Sequence, residues 1–304
     1  MDNPKLILFA VLSAVTVWFV ICWAKRFART QNEDTTDDRR HTPFHAVVAF
    51  ICTFFDTLGI GNFAPTASAF KFRGSVPDEN IPGTLNVGYA IPTIAQAFIF
   101  VGSVDVDTKT LMLMITCAVT GAWLGAKFVT HWSRRTIQLG IGVALLAAAG
   151  LMTMRQLELI PAGGEARALH GLKLGVGLTV IFCLGALMTL GIGLYAPCLI
   201  LVSLLGMNET TAFPIMMGSC AFLMPTGGLR FIREGRYDAR TALIMTVSGL
   251  PAVCIAAPLL NKIRLYDLRW LVVIAVSCAA TMMLRSAWTE RRTAAPSSGG
   301  HVDE

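Results

Sequence analysis

Two nonapeptides carry the chemistry that this chain offers. Residues 57–65 read TLGIGNFAP and residues 189–197 read TLGIGLYAP, identical at seven of nine positions, with Phe63 answering Tyr195 at one exception. Gly59, Gly61 and Pro65 in the first string, and Gly191, Gly193 and Pro197 in the second, all interrupt an α-helix. Proline removes a donor and clashes with the preceding turn, and glycine has a low helix propensity. Proline is tolerated in a first turn, so Pro65 and Pro197 each predict a short half-helix, running to about Lys71 and about Gly206. The N-terminus of a half-helix presents free N–H groups and the positive end of the macrodipole. Together these make a site for a small anion that needs no charged side chain. Thr57 and Thr189 would add hydroxyl donors and Asn62 an amide, which Leu194 at the matching place cannot supply.

The elements that must position these strings are membrane helices. Of 304 residues, 54% are hydrophobic and 14% charged, against about a quarter charged in a soluble domain, and mean hydropathy is +0.61. Apolar segments fall at 6–24, 44–71, 82–102, 109–131, 136–154, 172–206, 213–232, 240–260 and 267–286, mostly long enough for a hydrocarbon core of ~30 Å. The constant shift of 132 that superposes the nonapeptides also superposes Pro82 on Pro214, and VDTKT (106–110) is answered by YDART (237–241). The chain therefore divides into an N-terminal span and loop (1–43), a first copy (44–154), a linker (155–171), a second copy (172–286) and a polar tail (287–304). The predicted fold is an all-α polytopic membrane protein. It has two homologous repeats of about four apolar segments, each with a broken helix, re-entrant or spanning, plus one extra N-terminal helix.

A break inside lipid leaves peptide groups unpaired, so both breaks should meet where protein surrounds them. Re-entrant breaks would make the copies inverted, the arrangement that lets one midplane site open to either face in turn. Counting Lys and Arg places the N-terminus outside and the C-terminus in the cytoplasm. Charged residues within apolar segments cost at least ~2.5 kcal/mol at the bilayer centre, and Asp56 beside the first break is a candidate proton carrier, although Met188 occupies its partner position. Arg230, after PTGG at 225–228, either faces the cavity to neutralise a bound anion or snorkels to the cytoplasmic edge with Arg233 and Arg236. Of the uncharged polar candidates Asn86, Gln96 and Ser219, Asn86 ranks first because it lies four residues past Pro82.

Several function classes fall away. The eight cysteines all lie in apolar segments without a Cys-x-x-Cys pair, so no metal is expected, and no cofactor motif stands out. The net charge of +6 sits in short loops between apolar runs, a membrane pattern rather than a nucleic-acid surface. The chain has no Gly-x-Ser-x-Gly, His-Glu-x-x-His or paired aspartates, which argues against an enzyme. An anion channel and a carrier of another small organic anion are the alternatives to a sulfur-anion carrier, and a homo-oligomer is compatible with the sequence.

The duplicated T-L-G-I-G-N-F-A-P and T-L-G-I-G-L-Y-A-P, with Pro82 and Pro214 opening the next segment, resembles the sulfite exporter TauE/SafE type of membrane transporter over about 44–286. The resemblance implies a carrier in a bacterial inner membrane that exports small anions with sulfite or sulfonate groups. Family members commonly have a fuller glycine run at the break, where this chain has Asn62 and Leu194.

Overall fold

The computed structural model describes residues 3–30, 41–59, 61–129, 164–188 and 194–260, with isolated positions at 139–157 and 270–288. The elements are α1 (Asn3–Thr30), α2 (Thr42–Thr57), α3 (Phe63–Arg73), α4 (Ile81–Gly88), α5 (Ala90–Ser103), α6 (Thr108–Val129), α7 (Gly171–Met188), α8 (Tyr195–Leu204), a 3₁₀ turn at Glu209–Thr211, α9 (Ala212–Glu234) and α10 (Ala239–Leu260). Among the described residues the fold is all helical apart from one isolated bridge between Ala166 and Met207. Five helices there are long and apolar enough to cross a membrane: Lys5–Ala28, Ile81–Ser103, Gly171–Met188, Glu209–Glu234 and Ala239–Leu259. Large apolar side chains such as Leu6, Trp123, Leu172, Val247 and Ile255 are exposed, as expected where lipid is the solvent.

Both glycine-rich segments are split. α3 has 11 residues and α8 has 10, about 16 Å each at the α-helical rise, so neither crosses a ~30 Å core alone. They begin at Phe63 and Tyr195, separated by the same 132 residues as the nonapeptides. Pro65 and Pro197 stand third in their helices, where the missing donor matters least. α4 and α5 form one span with a join at Tyr89, where the Gly88 carbonyl accepts a 2.8 Å hydrogen bond from Thr246 Oγ1 of α10. That bond satisfies a backbone group which the join would otherwise strand in a dry interior.

The packing is reciprocal. α2 lies along α10 as α7 lies along α6, α5 touches α10 as α9 touches α6, and α5 and α9 pack on each other at the centre. α1 rests on α9 and α5, with Phe9 and Phe98 stacked at 5.4 Å. At the α6–α7 crossing the backbones nearly touch, for a methyl group on Gly185 would collide with the Ala118 carbonyl and one on Gly121 with the Phe182 carbonyl. At the α2–α10 crossing the small residue is Gly249 of α10. A methyl there would lie 3.1 Å from Thr53 Oγ1 and 2.9 Å from Pro92 Cγ.

The two D-x-x-T strings noted in the sequence open α6 and α10. Asp107 Oδ2 accepts from the Thr110 N–H and hydroxyl at 2.8 Å each, and Asp238 Oδ1 accepts from the Thr241 N–H at 2.6 Å. Burial pushes the Asp107 carboxyl up, but the two Thr110 hydrogen bonds and the nearby His170 outweigh it and hold the group below the usual carboxylate range.

Gly185→Ala should cost about 1–3 kcal/mol through overpacking, whereas Gly175→Ala on the same helix, with open space around it, should be nearly neutral. Detergent-to-SDS unfolding titrations of both variants check this. Asp107→Ala should cost about 1 kcal/mol at neutral pH. Because the folded-state value is depressed, the cap contributes fully above the unfolded-state range near pH ~4 and is lost as pH falls through the folded-state value. The difference in thermal midpoint between Asp107→Ala and the parent chain should therefore shrink in acid.

Candidate functional site

The first break is built by backbone. α2 ends at Thr57, the Leu58 N–H bonds back to Phe55 O at 3.1 Å, and the Gly59 N–H bonds to Asp56 O at 2.8 Å. Gly59 (φ +96°) and Gly61 (φ +87°) then turn the chain through the left-handed region, which glycine enters without steric cost. α3 starts after Asn62, and its first intrahelical bond runs from the Thr66 N–H to Asn62 O at 3.1 Å. α8 repeats this, with the Cys198 N–H on Leu194 O at 3.0 Å. The first-turn N–H groups of both half-helices have no intrahelical acceptor. Asn62 is 2% exposed, does not cap its own helix, and its Nδ2 meets no protein acceptor.

The second copy closes over this break. A methyl group on Gly59 would sit 3.3 Å from both Leu199 Cδ1 of α8 and the Phe213 ring of α9, and Phe213 in turn lies 5.3 Å from the Phe100 ring of α5. Leu199 is two residues beyond Pro197. Thr189, Gly191 and Gly193 lie outside the described residues.

Around Asp56 stands a buried polar cluster. Thr53, Asp56, Thr57, Thr66, Thr93, Gln96 and Tyr89 are all 0% exposed. Gln96 Nε2 donates to Asp56 Oδ2 at 3.0 Å and to Thr57 Oγ1 at 2.8 Å, while Thr66 Oγ1 and Tyr89 OH share a 2.6 Å hydrogen bond. The Thr57 hydroxyl donates to Thr53 O at 2.8 Å. In this structure its proton is engaged by its own helix backbone. Under the shift of 132, Thr53, Asp56, Thr66, Tyr89 and Gln96 fall on Gly185, Met188, Cys198, Ala221 and Gly228. The residues at the shifted positions do not repeat the cluster.

Other expected site residues are placed elsewhere. Asn86 Nδ2 donates to Pro82 O of its own helix at 2.8 Å, and the Asn86 backbone lies against Gly228. Ser219 likewise bonds to its own helix at Ile215 O. Arg230 is 81% exposed and pairs with Glu234 at 2.9 Å, one turn on. Thr53, Thr66, Tyr89 and Thr93 were missed by sequence reasoning, although Tyr89, Thr93 and Gln96 recur at helical spacing on one face of an otherwise apolar span. Among the described residues no group of three His, Cys, Asp or Glu side chains is placed to hold a metal ion.

A family model described as Sulfite exporter TauE/SafE matches residues 3–152. The match takes in α1 and the first copy, whereas the sequence motifs placed the resemblance at about 44–286. No curated protein and no solved structure matches the chain.

Gly59→Ala should destabilise the protein by about 1–2 kcal/mol from the left-handed backbone alone, with added crowding against Leu199 and Phe213. Gln96→Leu keeps the volume but strips Asp56 and Thr57 of a donor, and should cost about 1.5–3 kcal/mol. Unfolding in mixed micelles gives both values, and a Gln96→Leu protein as stable as the parent would refute the structural weight given to that amide.

Proposed function

We propose, from the match of residues 3–152 to a family model described as Sulfite exporter TauE/SafE, that the chain is a secondary carrier for a small sulfur-containing anion, sulfite or an organosulfonate. The anion sits between the two broken helices and is released to either face by alternating access. One observation supports this site most directly: the Asn62 amide, 2% exposed and without a protein acceptor, stands at the N-terminus of α3. A buried donor of that kind is expected to have a partner, and beside free first-turn N–H groups and a positive helix end the fitting partner is an anion. A sulfonate or sulfite offers three oxygens to such donors. Neither charge neutralisation nor covalent chemistry is needed, in keeping with transport rather than catalysis.

In this reading Gly59 and Gly61 set the turn that aims the donors, and Gly191, Gly193 and Pro197 do the same in the second copy. The reciprocal packing of α2 on α10 and α7 on α6 supports two copies related by a pseudo-twofold axis. Rocking of one copy against the other is the motion this symmetry favours. Export across a bacterial inner membrane, with the N-terminus outside and the C-terminus in the cytoplasm, completes the proposal.

The test is thermal stabilisation of the detergent-solubilised protein by sulfite, sulfoacetate, taurine, sulfate, acetate and chloride. A ligand at 100 times its Kd adds about 2.7 kcal/mol to the native state, so sulfite or a sulfonate should raise the midpoint selectively. Asn62→Leu, which installs the residue of the second copy, should abolish that rise while the protein still folds. A well-folded parent chain that responds to none of the anions would refute the site.

A further inference from the structure

We propose that His41 and His45 bind a divalent transition-metal ion of the zinc type at the start of α2, through His41 Nδ1 and His45 Nε2, with solvent filling the remaining coordination positions. The site lies at the opposite end of α2 from the break and is independent of the carrier reading.

The spacing is that of a chelating pair. His41 is the N-cap of α2 and has α-region backbone angles (φ −91°, ψ −6°), so His45, four residues on, lies on the same helix face. Two histidines at i and i+4 of a helix are the zinc-holding pair of H-x-x-x-H motifs. The two rings are stacked, with centroids 6.0 Å apart and planes 28° apart. An ion about 2.0–2.1 Å from one nitrogen of each ring puts the centroids roughly 5–6 Å apart. The rings therefore already stand at the spacing of a shared ion.

The facing nitrogens have no other partner. His45 is 1% exposed, and its Nε2 and the Nδ1 of His41 are both buried without a hydrogen bond. Such atoms are usually paired. On its other side the His45 ring meets α10, with Nδ1 3.1 Å from Thr241 Oγ1. A neutral imidazole donates from one nitrogen only, so with Nδ1 as the donor to Thr241, Nε2 keeps a bare lone pair. An anion cannot satisfy that lone pair, and a proton there would create a buried donor with nothing to bond. A metal ion takes it as it stands. Imidazole nitrogen suits zinc, nickel and copper, whereas magnesium and calcium prefer oxygen.

The surroundings orient the ligand. Phe70 makes an edge contact with the His45 ring at 4.9 Å, and Thr241 is itself held by its N–H on Asp238 Oδ1 at 2.6 Å. The outer nitrogen of His45 is thus tied through one residue to a carboxylate, the kind of outer-shell support that fixes a metal-binding imidazole. Asp238 also acts on His45 through its charge. The positive end of the α2 dipole opposes a cation here, but that effect is small and screened. His41 is part-exposed, which gives an ion a way in.

The experiment follows thermal midpoints of the purified protein, stripped with EDTA, as zinc, nickel, magnesium or calcium chloride is added at equal ionic strength, with bound zinc counted by elemental analysis after dialysis. It compares the parent chain with His41→Gln and with His45→Asn, which keeps an amide to face Thr241 but has no Nε2. Zinc and nickel should raise the parent midpoint saturably, with a single bound zinc per chain, while magnesium and calcium leave it unchanged. His41→Gln should raise the zinc concentration for half the rise by more than about tenfold, the loss expected from an outer-shell partner alone, and His45→Asn should abolish the rise. Because His41 is part-exposed, His41→Gln should keep the metal-free midpoint of the parent, and it decides the matter alone where His45→Asn does not fold. A parent chain that responds to neither zinc nor nickel overturns the proposal. So does a zinc response that survives unchanged in His41→Gln, which would give the ion to other groups such as the cysteines, or an equal response to magnesium.

Discussion

A peptide group released from a helix inside hydrocarbon has no water to turn to, and each one left bare costs several kcal/mol. The fold is organised by that constraint. Glycines at 59 and 61 end α2 sixteen residues after it begins and set α3 off in a new direction. Such a discontinuity survives only inside a wall of other helices. Leu199, Phe213 and Phe100 form part of that wall, and the Thr246 hydroxyl performs the same service for the Gly88 carbonyl at the α4–α5 join. The two short helices could not persist at membrane depth without the long ones, and the closest contacts of the first break come from the second copy.

Within this frame the two short helices start alike, while the residues around them differ in chemistry. α3 and α8 start at equivalent residues, and both helix crossings depend on a small residue, Gly185 on α7 in one and Gly249 on α10 in the other. The difference in which helix is small has a chemical effect. Gly185 lets α7 press its backbone onto Ala118, whereas Gly249 leaves room on α2 for the Thr53 hydroxyl. Likewise Gly228 stands in α9 where Gln96 stands in α5, and Met188 ends α7 where Asp56 stands in the last turn of α2. By sequence, the positions that carry Asp56 and Gln96 in the first half hold Met188 and Gly228 in the second.

Helix limits near the breaks were legible in the sequence because glycine and proline act locally: α3 and α8 begin just ahead of Pro65 and Pro197. Asp107 and Asp238 announced α6 and α10 for the same reason, a side chain meeting its own backbone. The polar cluster was only half legible. Asp56 stood out as a charge in an apolar run, but Thr53, Thr93 and Tyr89 are ordinary helix residues until tertiary packing sets α2 against α5. Gln96 ranked behind Asn86 on proximity to Pro82, yet Asn86 bonds to its own helix while Gln96 reaches across to another. Arg230 was ambiguous because a long side chain can run either way from one backbone position; in the structure it is exposed and pairs with Glu234 one turn on. The glycines of the second string, at 191 and 193, lie outside the described residues.

The Phe100–Phe213 pair, 5.3 Å between ring centres, draws one ring from each copy and sits over Gly59. A contact shared in this way is a seam: each half of the chain supplies one ring, and the Phe213 ring packs against the turn at Gly59. The cover over the glycine turn is thus made of carbon rather than of polar groups, and the two halves of the chain contribute it jointly.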